Sequence, residues 1–179
     1  MNDLYDRIVG QREALPKLVE RIPGFTGYLD LAARRAADRM MRDYVADLIK
    51  RHLDRLSQVG KRILDMDGGL ALMSELESAR LRWQTYHDRV RAAAPGYAGF
   101  FELIKVDAEA VERLYSFDEA QIRYADQLDD ALQSLETAVR SRSGLATAIQ
   151  TLERLGLEAN DAFSLREDVL TQIGEGKNG

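Results

Sequence analysis

Pro23-Gly24-Phe25-Thr26-Gly27-Tyr28-Leu29-Asp30-Leu31-Ala32 is echoed seventy-two residues on by Pro95-Gly96-Tyr97-Ala98-Gly99-Phe100-Phe101-Glu102-Leu103-Ile104. The proline, both glycines, two aromatic positions, an acid and a leucine stay in register. Each copy combines a Pro-Gly break with aromatics and opens a helical pattern. A punctuated segment repeated at the head of two similar blocks predicts two helical hairpins related by a pseudo-twofold.

The blocks between these breaks carry a 3.5-residue repeat. Apolar positions in the first run through Val45, Ile49, His52, Leu56, Val59, Ile63 and Met66. The second gives Leu72, Leu76, Ala79, Trp83, Tyr86, Val90 and Ala93, and the third Val111, Leu114, Asp118, Gln121, Ala125, Leu128, Leu132, Leu135 and Val139. A seam held this long implies left-handed supercoiled packing, and flanking apolar residues such as Leu48, Leu53, Phe117 and Tyr124 widen it beyond two strands. The expected fold is all-α, an elongated, coiled-coil-like bundle of two pseudo-repeated hairpins. Hairpin 1 covers residues 23–94 and hairpin 2 covers 95–173. Residues 1–22 form an amphipathic segment packed on the bundle, and 174–179 a disordered tail. Asp67-Gly68-Gly69 should end the first long helix. After Gly144 a short helix is expected to Leu155, then a break to Asp161, then a capping box at Ser164-Leu165-Arg166-Glu167.

Composition bounds the chemistry. The chain has 179 residues, 45% hydrophobic and 31% charged, with a net charge of −5. Cysteine is absent, which excludes disulfides, thiolate nucleophiles and cysteine-ligated zinc. No stretch approaches the ~20 apolar residues of a membrane span, and the first residues lack the apolar core of a secretory signal, so the expectation is a cytoplasmic protein. Charge is distributed unevenly. Residues 34–62 hold nine basic side chains against four aspartates, and residues 102–136 hold ten acids against three bases. One long helix is basic and another acidic, so the two are expected to face each other, within a chain or across a dimer.

Motifs for catalysis or cofactors are missing. Neither histidine stands in a Glu-x-x-His pair, because Ile49 precedes His52 and Gln84 precedes His87 by three. Asp65-Met66-Asp67-Gly68 begins like a calcium loop but lacks its later ligands, and Asp126, Asp129 and Asp130 read as a solvated acidic face. Gly174-Glu175-Gly176-Lys177-Asn178 lacks the spacing and hydroxyl of a phosphate loop. Arg35, Arg39 and Arg42 share a helix face, but interspersed aspartates weigh against nucleic acid as a partner. No catalytic residue, metal or cofactor is expected.

The remaining chemistry lies at the breaks. The first long helix runs out from its elbow and the second runs back, so both elbows should share one end of the rod. Phe25, Tyr28, Tyr97, Phe100 and Phe101 would meet there beside Arg34 and Arg35, as a partner-binding surface. His52, Asp118 and Gln121 fall on the apolar seam, where a polar group fixes register or specificity. The expected function is a non-enzymatic scaffold or adaptor that binds a protein partner and self-associates, most simply as a dimer. The alternative is attachment to a membrane surface through residues 3–22.

Overall fold

The three heptad-spaced segments fold as long helices, and a fourth long helix follows them. The computed structural model describes residues 3–92, 98–102 and 105–175, and among these the chain is all-α with no strand. The helices are α1 (Asp3–Val9), α2 (Ala14–Arg21), α3 (Arg34–Leu64), α4 (Met73–Arg91), α5 (Ala98–Glu102), α6 (Ala108–Ser141) and α7 (Leu145–Gly174). A hairpin tip closes α3 onto α4 where Gly68 takes a left-handed φ of 78°. Gly69 then packs so closely that a Cβ there would lie 1.7 Å from the carbonyl oxygen of Ile63.

Four helices form a square in which α3 touches α4 and α6, and α7 touches the same two. Side-chain pairs give the directions. Asp38 near the start of α3 and Asp118 near the start of α6 share Arg166, while Arg55 and Arg62 further along α3 meet Asp129 and Glu136 further along α6. α3 and α6 are therefore parallel. Ser78 pairs with Glu153 and Arg89 with Glu167, so α4 and α7 are parallel too. Within each hairpin the helices are antiparallel. The two hairpins thus stand side by side in one sense, which is not the twofold arrangement read from the sequence. At the elbow end of the square α5 packs against α7.

The basic and acidic helices meet inside one chain. Arg55 donates to Asp129 at 2.5 Å and to Glu136 at 2.8 Å. The amphipathic preamble is also consumed internally. Ile8, Ala14, Leu18 and Ile22 are buried as α1 and α2 lie on α6, and Arg21 grips Asp126 through two 2.8 Å bonds. Pro16 sits in the first turn of α2, where its missing N–H costs nothing.

Two sequence expectations need correction. α7 runs unbroken through Gly156, and Ser164 does not cap a helix but returns its hydroxyl to the Asn160 carbonyl at 3.2 Å. Gly156 marks a crossing rather than a break. A Cβ there would stand 2.9 Å from Arg82 Cβ and 3.1 Å from Trp83 Nε1. Trp83 is fully buried and donates to the Leu152 carbonyl at 2.9 Å. The tail beyond Glu175 lies outside the described residues. No helix among the described residues is long and apolar enough to cross a membrane.

Gly156→Val should wedge α7 away from α4 and lower stability by about 1–3 kcal/mol in urea titration. An unchanged midpoint would contradict the close crossing.

Candidate functional site

The first elbow is assembled around one aromatic ring. Gly27 holds φ +99°, and a Cβ there would meet the Tyr115 hydroxyl at 2.4 Å, so only glycine fits. That close approach lets the backbone N–H of Tyr28 donate to Tyr115 Oη at 2.9 Å. The Tyr28 ring stacks on Tyr115 at 5.5 Å and meets Phe25 and Phe100 edge-on at 5.6 and 5.7 Å. Arg34 closes the turn, donating to the carbonyls of Tyr28 at 2.7 Å and Phe100 at 3.3 Å. Gly99, the counterpart of Gly27 in the second copy, is again a point of close approach, since a Cβ would lie 2.8 Å from the Gly174 carbonyl oxygen.

Below the rings lies a buried charge cluster. Arg166 is fully enclosed and donates from Nε to Asp118 at 2.6 Å and from Nη2 to Asp38 at 2.8 Å. Asp38 also accepts from Arg42 Nε at 2.8 Å, and Arg42 reaches the Arg91 carbonyl at 3.0 Å. The Tyr28 hydroxyl donates to the other oxygen of Asp118. Two arginines and two aspartates thus tie α3, the end of α4, α6, α7 and the elbow together. Burial pushes the Asp118 carboxyl above the ordinary aspartate range, opposed by Arg166 and Tyr28, and drives the Tyr28 phenol well above its usual value. One turn away, buried Gln121 accepts from the Tyr86 hydroxyl at 2.7 Å and donates to the Phe117 carbonyl at 2.9 Å.

Of the elbow residues read from the sequence as a binding surface, Phe25, Tyr28, Phe100 and Arg34 are buried in the chain's own interior. Their rings meet at one end but point inward, with Tyr28 stacked on Tyr115 and its hydroxyl turned to Asp118. Arg35 and Phe101 lie further out, the guanidinium 4.9 Å above the ring and 3.8 Å from Glu102. Tyr97 lies outside the described residues. Asp118 and Gln121 occupy the core, whereas His52 is only half-buried, its place on the seam taken by Leu53. Burial holds the His52 pKa below the ordinary imidazole value, with Asp129 acting against that shift.

The exposed side of the elbow end is apolar. Leu29 is 72% exposed, Met40 40% and Leu31 37%. Ala32, Ala36 and Met40 recur every four residues, a stripe on one face flanked by exposed Arg35 and Arg39. Elsewhere, a cleft of about 390 Å³ opens between α1, α6 and α7. Arg7 and the Tyr124 hydroxyl both donate to Glu158 there, and Arg123 pairs with Glu119. No group of metal-ligating side chains occurs among the described residues. No protein-family model matches the chain, and neither curated proteins nor solved structures yielded a match.

Sequence reasoning missed Asp38, Arg42, Tyr115 and Arg166. Arg166 had a signal, because Ala162, Arg166, Val169 and Ile173 follow steps of four, three and four, placing the arginine among apolar seam positions.

Because the folded chain binds a proton at Asp118 more readily than the unfolded chain does, stability from this group falls as pH rises from the ordinary aspartate value through the raised one. Arg166→Met removes its partner and should cost about 3–5 kcal/mol at pH 7. Part of that loss should return toward pH 5, as Asp118 takes up its proton. Urea titrations of Arg166→Met and of Arg166→Met/Asp118→Asn check this. Equal pH dependence in the two variants would contradict it.

Proposed function

We propose that this protein is a non-enzymatic, cytoplasmic helical scaffold that binds a protein partner at its elbow end and associates with copies of itself. The observation that carries the reading is the contrast at that end between a locked interior and an open apolar face. Tyr28, Asp118 and Arg166 are enclosed and engage one another, and Gln121 is enclosed with Tyr86, which suits a structural anchor better than turnover. Immediately outside, Leu29, Leu31, Ala32, Ala36 and Met40 stay exposed on a frame held by buried ion pairs. Exposed apolar area rimmed by charge is the usual signature of a protein contact.

Arg35 and Arg39 beside that stripe favour an amphipathic segment with carboxylates flanking its apolar side. Hot-spot contact would come from Leu29 and Met40, with Phe101 and Arg35 at the rim, in place of the inward-facing Phe25, Tyr28 and Phe100. A membrane role for residues 3–22 gains no support, since their apolar side is occupied by α6. The doubled Pro-Gly-aromatic segments are read as two copies of one hairpin, wound left-handedly as their 3.5-residue repeat implies. Their parallel, side-by-side placement supports a shared origin.

Leu29→Asp/Met40→Asp changes two exposed side chains and should leave helicity and thermal unfolding intact. Captured side by side with the parent chain, it should lose a defined protein that the parent retains, and adding that purified protein should give a stoichiometric complex with the parent alone. Equal capture by both chains would refute the elbow as the binding face.

A further inference from the structure

At the end of the bundle away from the elbow, the α3–α4 hairpin tip carries apolar surface that the fold does not use. Gly60 brings α3 close to α4, since a Cβ there would touch Leu76 Cδ2 at 3.2 Å. Beside this contact lies a groove of about 200 Å³ whose apolar walls are Leu56, Leu64, Met73 and Leu76, with Lys61 among its polar lining. Leu70 projects from the adjoining turn, 76% exposed, and Leu64 is 48% exposed. Through Gly69 the turn is seated directly on the Ile63 and Leu64 backbone, so projection and recess belong to one rigid tip. Lys61, Asp65 and Asp67 are exposed here, and none forms an ion pair among the described residues.

We infer that this tip is an isologous interface joining two copies of the chain, with Leu70 of each copy seated in the α3–α4 groove of the other and Lys61 of each facing Asp67 of the other. The occupant follows from self-complementarity. A twofold contact requires one patch to supply both members of every pair, and this patch holds a projecting leucine beside an apolar recess, and an unpaired cation beside unpaired carboxylates. A tip of single-signed charge would repel its own copy. This inference rests on the self-association proposed above and gives it a location distinct from the elbow.

Sedimentation velocity of the full chain from low to high micromolar concentration tests it. The parent chain should show a concentration-dependent dimer. Leu70→Glu, at an exposed position, should weaken that dimer at least about tenfold, because an apolar insertion is lost from both halves of the contact. Lys61→Glu and Asp67→Lys should each weaken it alone. Mixed one to one, the two should form a heterodimer near parental strength, because both salt contacts are then restored with reversed and native polarity. A dimer indifferent to all three substitutions overturns the tip interface and leaves self-association standing. A chain that stays monomeric at every concentration overturns both. Circular dichroism of each variant separates misfolding from lost contact.

Discussion

Arg166 held between Asp38 and Asp118 inside the bundle is the constraint on which the other features depend. Removing a guanidinium from water is costly, and the arrangement persists only because both carboxylates, Arg42, Tyr28 and the Arg91 carbonyl satisfy the group's neighbours together. An apolar seam tolerates a slide of one helix along another at modest expense. This cluster does not, because displacing α3, α6 or α7 by one turn would strand a buried charge. It therefore sets the axial register of the hairpins and holds them side by side and parallel.

The same cluster explains why the elbow is closed. Tyr28 must point inward for its hydroxyl to reach Asp118, and its ring then collects Phe25, Phe100 and Tyr115. With the aromatic residues drawn in, the residues that follow Tyr28 in sequence, Leu29 and Leu31, are turned outward. The exposed apolar face is in this sense a geometric consequence of the buried ion network. The closed interior and the exposed leucines therefore trace to one set of side chains.

Much of the architecture was legible because period and punctuation agree. The four-and-three spacing marked α3, α4 and α6, Gly68-Gly69 marked a tip, and Asp118 and Gln121 stood out as polar residues on an apolar seam. Their partners were not legible by the same rule. Asp38 and Arg42 are four apart, a spacing most often found on solvated helix faces, and Arg166 sits in a string that also spells a capping box. Gly156 resembled a helix breaker because its role, close passage of Trp83, depends on a helix distant in sequence. His52 was placed on the seam by a strict 3.5-residue template, whereas a straight helix drifts from that template and brings Leu53 inward. Neighbouring helices decided each of these outcomes.

The most direct test of the buried Arg166 node is the exchange of its guanidinium Nε proton, followed by ¹⁵N-edited NMR with Arg166→Lys for assignment. A proton donated to Asp118 in an interior closed to solvent should give a distinct resonance that exchanges only as fast as the whole protein unfolds. A proton that exchanges freely under native conditions would show that the arginine reaches water and that the hairpins are held in register by something else.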